Sequence, residues 1–99
     1  MTFAPMSEST DSDFLNKLGQ RIQTLRKEKG WTQKDLAYRI GMEVSNLSVI
    51  ENGKSNPQVL TLIRIAGALE IEPKEILDFS FDLKKFMESP VTYVPRKHN

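Results

Sequence analysis

The stretch TQKDLAYRIGMEVSNLSVIENGKSNP, from Thr32 to Pro57, decides the fold because it has the pattern of two short helices joined at a glycine. Thr32 is a residue type that caps helices, and Gly41 ends the first helix because glycine readily adopts the left-handed conformation that follows a helix. Gly53 ends the second helix for the same reason. The stretch therefore predicts a helix, a tight turn and a second helix.

The second helix, from about Val44 to Asn52, carries unusual residues outside its apolar stripe. Only Leu47 and Ile50 supply that stripe, which is thin. A surface helix normally carries Lys and Glu on its other faces, whereas this one carries small or uncharged residues that suit neither a core nor solvent. These residues are Val44, Ser45, Asn46, Ser48, Val49 and Asn52.

Apolar residues before this stretch predict a longer first helix. They recur at spacings of four, four and three residues, which is one face of a helix, and Asp13 is a suitable N-cap. The helix is therefore expected to run from Asp13 to Gly30. Residues 1–12 are polar, Ser-rich and without period, which favours a disordered N-terminal arm. The apolar face of the helix is formed by Phe14, Leu18, Ile22 and Leu25.

Two more helices are predicted after the stretch. Pro57 suits the first position of a fourth helix, because its missing N–H is not needed there. A short fifth helix follows Glu72, with Pro73 at its first position. The sequence thus predicts an all-α, compact five-helix domain over residues 13–78 and a C-terminal extension over residues 79–99. The fourth helix keeps helical spacing through Val59, Leu62, Ile63, Ala66 and Leu69.

Composition limits the functions that the chain is able to have. Its 99 residues suffice for one helical core but not for an enzyme-sized cleft as well. There is no Cys, and the one His is His98, so the residues that most often form metal and acid–base sites are nearly absent. We therefore expect no catalytic activity, no metal and no cofactor. The sequence has no apolar run close to the roughly 20 residues needed to cross a bilayer, and no signal peptide. We therefore expect a cytoplasmic location and no membrane partner.

The net charge of +1 hides an uneven distribution along the chain. Residues 14–40 carry a net charge of +5, whereas residues 1–13 carry −3. A basic block of this kind favours a polyanionic partner, although a solvated helix face explains it equally well.

A set of positions distributed over the middle of the chain matches a known pattern: Arg26, Gly30, Trp31, Thr32, Gln33, Leu36, Ala37, Gly41, Leu47, Ser48, Ile50, Glu51, Asn52, Gly53, Pro57, Leu62, Ala66 and Leu69. The span from Leu18 to Leu77, which contains them, resembles the helix-turn-helix domain of lambda-like phage repressors, Cro proteins and the xenobiotic-response-element (XRE) class of bacterial regulators. The resemblance implies a lambda repressor-like fold with its helix-turn-helix at helices 2 and 3. It also implies double-stranded DNA as the partner.

The resemblance assigns base reading to the second helix of the opening stretch. In that family this helix enters the major groove and reads bases with its N-terminal residues. Serine donates or accepts a hydrogen bond, and asparagine pairs with adenine, whereas valine touches only a thymine methyl group or a sugar. Core packing or dimer contact is the alternative for Val44 and Val49. The predicted base-reading residues are Val44, Ser45, Asn46, Ser48 and Val49.

The resemblance also implies contacts to the phosphate backbone of DNA. Gln33 matches the family's phosphate anchor at the start of helix 2, and the loop after helix 3 offers further donors. Local turn chemistry is the alternative for the loop residues, and Asn56, which precedes Pro57, is expected to cap the fourth helix. The predicted phosphate-binding residues are Gln33, Asn52, Lys54, Ser55 and Asn56.

Three further positions match structural features of the family. Arg26 and Glu51 are expected to form a partly buried ion pair that joins helices 1 and 3. Trp31 is expected to pack against helix 2, and a ligand-binding role is the less favoured alternative. No small-molecule substrate is indicated.

The segment after Glu72 is rich in apolar residues, more than a small four-helix core readily covers. In the resembled family the region after the fourth helix often forms a two-fold interface. We therefore predict a homodimer, with the tail from Val91 to Val94 as a further contact across the axis. The alternative is that the aromatic residues fold back onto their own core. The predicted interface residues are Ile76, Leu77, Phe79, Phe81 and Phe86.

These expectations together predict a sequence-specific DNA-binding transcriptional regulator that acts as a homodimer on a two-fold operator. The alternative is a protein-interaction adaptor on the same fold with weak or no base readout, which the net charge near zero favours slightly.

Overall fold

The computed structural model describes the backbone of residues 4–88 and the side chains of residues 11–88. Within these residues the chain forms five α-helices, one 3₁₀ helix and no β-strand. The prediction of an all-α fold is therefore confirmed. The elements are α1 (Ala4–Glu28), α2 (Gln33–Arg39), α3 (Val44–Glu51), α4 (Val59–Leu69), the 3₁₀ helix (Pro73–Leu77) and α5 (Leu83–Glu88).

Helix α1 begins at Ala4, so the prediction of a disordered arm over residues 1–12 is wrong from Ala4 onward, and Asp13 is not an N-cap. Residues 1–3 lie outside the described residues. The segment from Leu15 onward is held against the core, and adding turns to an existing helix is far easier than nucleating one. Pro5 lies in the first turn, where proline is tolerated.

The core lies between α1 and the elements that follow it. The inner face of α1 carries Leu18, Ile22 and Leu25, as predicted. Removing these and the facing apolar side chains from water is the main force that holds the helices together. The buried apolar residues are Leu18, Ile22, Leu25, Leu36, Ala37, Leu47, Ile50, Ile65, Ala66, Leu69 and Ile76.

Helix α4 buries only part of the predicted face. Ala66 and Leu69 are buried and Leu62 packs against the core, as predicted. Val59 and Ile63 are exposed, and Ile65 is buried instead. Apolar residues surround almost the whole helix, so their spacing alone does not single out one face. The helix also begins at Val59 rather than at Pro57, with Gln58 as its N-cap. Pro57 lies in the extended approach to the helix, which its fixed φ also allows.

The ends of the helices are set by residues with positive φ. Gly30, Gly41 and Gly53 follow α1, α2 and α3 in this conformation, as predicted. Helix α4 ends instead at Glu70, whose φ of 59° and ψ of 42° lie in the left-handed region. A side chain is disfavoured there, because its Cβ crowds the following carbonyl oxygen. Glu70 is therefore a strained helix end.

Helices α1 and α3 approach each other at a point where a side chain does not fit. A Cβ added to Gly19 would lie 2.6 Å from the carbonyl oxygen of Ile50 and would also clash with the carbonyl oxygen of Glu51. The last turn of α3 therefore rests directly on the backbone of α1. This contact fixes the position of α3 relative to the rest of the domain.

The C-terminal elements pack back onto α1. Arg21 Nε donates a hydrogen bond of 2.8 Å to the carbonyl oxygen of Glu75 in the 3₁₀ helix. The ring of Phe14 lies 5.4 Å from that of Phe79 and 5.0 Å from that of Phe81. The ring of Phe86 lies 5.7 Å from that of Phe81. Residues 79–88 are thus joined to the domain by an aromatic cluster rather than extending away from it.

This packing changes the surface that is available for the predicted dimer. Ile76 is only 1% exposed within a single chain, so its assignment to an interface is wrong. Phe79, Phe81 and Phe86 are half-buried within the single chain. This agrees with the alternative prediction that these residues fold back onto their own domain. Leu77 remains exposed. The tail from Val91 to Val94 lies outside the described residues.

Candidate nucleic-acid interface

Helix α2 has a well-defined beginning. Thr32 Oγ1 accepts a hydrogen bond of 3.1 Å from the backbone N–H of Asp35, and the Asp35 carboxylate accepts one of 2.8 Å from the backbone N–H of Thr32. This reciprocal capping box satisfies two backbone donors that the helix leaves unpaired. The hydrogen bonds from Thr32 hold the pKa of the Asp35 carboxyl below its ordinary value of 3.8. Leu36 and Ala37 then anchor α2 in the core.

Helix α3 follows after a tight turn and divides cleanly into two faces. Leu47 and Ile50 are buried against the core, and its one charged residue, Glu51, is also buried. The outward positions carry no charge and present a surface of hydroxyl, amide and methyl groups. A shallow, uncharged helix face of this kind is suited to close contact with a second surface.

The predicted base-reading residues occupy that outward face, with differences between them. Val44 is 41% exposed and Val49 is 40% exposed, so the core alternative for these two residues is wrong. Ser45 and Asn46 are exposed, whereas Ser48 is half-buried. Ser48 therefore lies at the margin of the surface.

Asn46 lies on a separate side of α3. It borders a cleft of about 410 Å³ between the start of α3 and helix α4, together with Glu43, Thr61 and Arg64. Sequence reasoning did not single out Arg64, because its proximity to α3 depends on how α4 is rotated against the core. Arg64 is exposed and brings a positive charge to this edge of α3.

Arg26 and Glu51 form the ion pair that was predicted between α1 and α3. Arg26 Nε lies 2.8 Å from Glu51 Oε2 and Nη2 lies 2.9 Å from Oε1, so the contact is bidentate. The two side chains are only 6% and 0% exposed. Arg26 Nη1 also donates a hydrogen bond of 2.7 Å to the carbonyl oxygen of Trp31. The pair therefore ties α1, α3 and the start of α2 into one unit.

Gln33 belongs to the same network. Its Nε2 donates a hydrogen bond of 2.9 Å to Glu51 Oε1, and the residue is half-buried. A glutamine amide has two N–H groups, so one remains for a phosphate after this bond is made. Glu51 thus connects the predicted phosphate anchor to the predicted reading helix.

Trp31 packs as expected and also organises positive charge. Its ring lies partly buried against the core, and the guanidinium carbon of Arg39 lies 4.1 Å from the ring centroid. Lys29 Nζ lies 5.8 Å from the same centroid. Cation–π contacts of this kind hold the two basic residues on the outer side of α1 and α2.

The loop after α3 presents the other predicted phosphate ligands. Asn52, Lys54 and Asn56 are exposed, and Ser55 is half-buried. Asn52 Nδ2 donates a hydrogen bond of 3.3 Å to Ser48 Oγ, which links the loop to α3. The expectation that Asn56 caps α4 is wrong, because the N-cap is Gln58.

Residues 11–88 hold no group of three or more His, Cys, Asp or Glu side chains that would bind a metal ion. No helix in the part of the chain that the structure describes is both long enough and apolar enough to cross a membrane.

Helices α2 and α3 pack against each other across a tight turn. The inner face of α3 is buried in the core, and its outer face is exposed. This arrangement defines a helix-turn-helix unit. A family model described as Helix-turn-helix (HTH_3) matches residues 22–76, which is more than half of the chain. The chain therefore belongs to the XRE-type helix-turn-helix family.

Known proteins of this family include regulators of several kinds. An uncharacterised HTH-type transcriptional regulator, y4dJ, of Sinorhizobium fredii is 37% identical over 65 residues, which are 66% of this chain and 84% of the relative. The immunity repressor of Bacillus phage phi105 is 42% identical over 60 residues, covering 61% and 42% of the two chains. SinR of Bacillus subtilis is 39% identical over 62 residues, covering 62% and 56%. The chain thus spans about half the length of the last two relatives.

Solved structures show the same fold. The restriction-modification controller protein C.AhdI from Aeromonas hydrophila superimposes with a TM-score of 0.64 at 37% identity, covering 66% of this chain and 94% of that protein. The controller protein C.Esp1396I, solved as a tetramer with its natural 35-base-pair operator, superimposes with a TM-score of 0.59 at 31% identity, covering 76% and 96%. The prediction of a lambda repressor-like domain with its helix-turn-helix at α2 and α3 is confirmed.

Proposed function

We infer that this protein is a DNA-binding transcriptional regulator that inserts α3 into the major groove of an operator. The observation that carries this proposal is the uncharged outer face of α3, presented by a helix whose inner face and one charge are buried. The relatives whose names describe transcriptional regulators and a phage repressor support it. So does the C.Esp1396I controller protein, solved on its operator. A regulator of this kind acts in the cytoplasm.

The groups on α3 determine which bases it is able to read. Ser45 is exposed in the first turn and carries one donor and two acceptor sites, which fit the edge of several bases. Val44 and Val49 offer methyl groups, which fit the methyl group of thymine. Asn46 fits the adenine edge if the base lies on the α4 side of the helix. Base reading is therefore expected to combine hydrogen bonds with apolar contacts.

Phosphate contacts are expected to fix the register of α3 in the groove. The free N–H of Gln33 is one donor, and its orientation is set by the hydrogen bond to Glu51. Lys54 is the positive charge of the loop after α3, where Asn52, Ser55 and Asn56 add uncharged donors. These contacts contribute affinity for every DNA sequence and little preference among sequences.

We further propose that the protein acts as a homodimer on a two-fold operator. Val59, Leu60, Ile63 and Leu77 form an exposed apolar patch among the described residues, which suits contact with a second copy. Val59 and Leu77 line the same groove, and Val59 and Leu60 lie four and three residues before Ile63, so each neighbours it on the surface of α4. A two-fold dimer would place two copies of α3 about one DNA turn apart, roughly 34 Å. The proposed interface is therefore formed by residues of α4 together with Leu77, rather than by the aromatic residues named from the sequence.

Selection of bound sites from random DNA, followed by affinity measurements on the selected duplex and on a random one, tests base reading. Ser45→Ala should lower affinity for the selected duplex by about 1–3 kcal/mol, with the loss confined to one base pair, and leave random binding nearly unchanged. Ser12→Ala, an exposed serine on α1, is the matched control. Equal losses on both duplexes, or failure of the wild type to select any sequence, would contradict base reading and favour an adaptor role.

Sedimentation tests the dimer. Ile63→Asp should convert a dimer into a monomer with an unchanged helical signal, because Ile63 is exposed in the single chain. Thr24→Asp, on the exposed side of α1, is the control and should stay dimeric. A wild type that is monomeric at micromolar concentration would contradict the proposal.

A further inference from the structure

An apolar groove lies beside the exposed apolar patch on which the dimer is proposed. Its volume is about 550 Å³, and it lies between α1, the start of α4, the end of the 3₁₀ helix and α5. Two of the residues that line it, Val59 and Leu77, also belong to the patch and are 70% and 52% exposed. Contiguous apolar surface usually marks a site of interaction, so a partner that covers the groove is expected. The other apolar residues that line the groove are Phe14, Leu15, Leu18, Pro57, Leu62 and Phe86.

The charge of the groove indicates the chemistry of that partner. Among the residues that line it, only Asp11 is charged, and the one further polar side chain is that of Asn56. Asp11 is exposed and forms no ion pair within residues 11–88. The groove therefore suits a segment of apolar side chains that is accompanied by positive charge.

The chain itself contains such a segment, residues 89–99, with the sequence SPVTYVPRKHN. The segment lies outside the described residues. It follows Glu88, only two positions after Phe86, whose side chain lines the groove. Its 11 residues span at most about 36–40 Å when extended, so the segment is long enough to run along the groove from this starting point.

The composition of the segment matches the groove. A proline stands on each side of its apolar stretch, which disfavours a helix and favours an extended backbone that lies along a groove. Its two charged residues follow that stretch and are both positive, whereas the groove has a single negative charge. The apolar residues are Val91, Tyr93 and Val94, and the positive ones are Arg96 and Lys97.

We propose that residues 89–99 dock in this groove of their own chain and compete there with a second copy for Val59 and Leu77. The apolar side chains of the segment cover the walls of the groove, and Arg96 or Lys97 lies beside Asp11. Because the segment is attached next to the groove, its effective concentration there is on the order of millimolar, which a second copy at micromolar concentration does not match.

The two parts of this proposal have different requirements. Docking within one chain does not depend on the proposed function, whereas the competition rests on the proposed homodimer. Both copies must release the segment before they pair, so a segment that is docked about two-thirds of the time raises the dissociation constant of the dimer about ninefold.

A spin label tests the docking, because the chain has no Cys and Asn99→Cys gives a single attachment site. In the full chain, a nitroxide at this position should broaden the methyl NMR signals of Leu15 and Leu77, which line the groove. The methyl signals of Val44 should be broadened less, because this residue is exposed on α3 and does not line the groove.

The ion pair is tested in the same spin-labelled chain. Asp11→Asn should weaken the docking about two- to fivefold, the factor that an exposed ion pair is worth. Asp13→Asn is the matched control, because Asp13 is an exposed carboxylate of α1 that does not line the groove, and it should leave the broadening unchanged.

A mixture of two samples separates docking within one chain from docking between copies. Isotope-labelled chain without a nitroxide is mixed with spin-labelled chain without isotopes, so only contacts between copies broaden the signals. Broadening as strong in the mixture as in the doubly labelled chain would overturn docking within one chain.

Sedimentation of the full chain measures the competition. The double variant Val91→Ser, Val94→Ser removes apolar contacts of the segment, so the dissociation constant of the dimer should fall about ninefold and the selective broadening should be lost. Thr92→Ser, which lies between the two substituted positions, is the control and should match the wild type.

The outcomes separate this inference from the proposed function. If the nitroxide broadens Leu15, Leu77 and Val44 equally, the segment does not dock, and the inference is wrong while the proposed function stands. If the broadening is selective but the double variant has an unchanged or higher dissociation constant, the competition is wrong. If the wild type and the double variant both stay monomeric, the proposed homodimer is wrong and the competition with it, whereas the docking is still decided by the NMR signals.

Discussion

Removing the side chain of Glu51 is the most informative perturbation of the fold, because Glu51 joins three helices. Glu51→Ala deletes the two hydrogen bonds from Arg26, at 2.8 and 2.9 Å, and the one from Gln33, at 2.9 Å. Arg26 is then left buried, with its bond to the Trp31 carbonyl oxygen but without a counter-charge. A buried positive charge in this state is strongly disfavoured.

The magnitude follows from the burial of the pair. Removing one partner of a buried ion pair costs about 3–5 kcal/mol, because the remaining charge stays desolvated. A small domain has a total free energy of unfolding of about 5–15 kcal/mol, so Glu51→Ala removes a large share of it. At roughly 4–8 °C for each kcal/mol in a domain of this size, Tm should fall by about 12–40 °C.

Urea unfolding followed by circular dichroism measures the loss. The midpoint should fall while the slope m stays the same, because the surface exposed on unfolding hardly changes. Glu43→Ala is the matched control: its side chain is exposed and makes no capping bond at the start of α3, so the expected change is within about 0.5 kcal/mol.

The double variant Arg26→Met, Glu51→Met separates the value of the pair from the cost of an unpaired charge. It should be less destabilised than Glu51→Ala, because it leaves no buried charge without a partner. The reasoning is refuted if Glu51→Ala costs less than about 1 kcal/mol, or if the double variant is destabilised as much as Glu51→Ala.

Three other substitutions have definite expected outcomes. Gly19→Ala should lower the free energy of unfolding by about 1–3 kcal/mol, because the added Cβ would clash with backbone carbonyl oxygens of α3. The denaturant midpoint measures this loss, and an unchanged midpoint would show that α1 and α3 separate freely. Glu70→Gly should stabilise the protein by about 0.5–1 kcal/mol, because glycine adopts a φ of 59° without strain. The exposed ion pair between Glu70 and Lys29, which the substitution removes, contributes little. A lower Tm would contradict this prediction. Because the pKa of Asp35 is lowered in the folded protein, its stabilising contribution is present above pH 3.8 and is lost as the pH falls below that value. The wild type should therefore have a higher free energy of unfolding than Asp35→Asn at pH 7, and this difference should disappear in acid. A difference that grows in acid would contradict the prediction.

The difference between Gln33 and Ser45 shows how the site depends on two levels of structure. Ser45 is exposed because its neighbours Leu47 and Ile50 are drawn into the core, which local spacing predicts. The environment of Gln33 depends on Glu51, which lies far from it in sequence and is brought near by the turn between α2 and α3. Its bond to a carboxylate was not predicted, because no local signal marks it.

Elements that have a local cause are predictable from the amino-acid sequence. The glycine turns, the cap at Thr32, the inner faces of α1 and α3 and the uncharged outer face of α3 all follow from residues within about one helical turn of each other. The pairing of Arg26 with Glu51 also came from the sequence, through a family pattern rather than through spacing.

Features that depend on partners distant in sequence become visible only when the chain is folded. Helix α4 has apolar residues on most of its surface, so the face that it buries was chosen by the core that it meets. The aromatic residues after the 3₁₀ helix pack on Phe14 of α1, a contact between residues more than 60 positions apart that local spacing does not predict. Burial is a property of the assembled chain, and a pattern that allows several faces to be buried does not say which one will be.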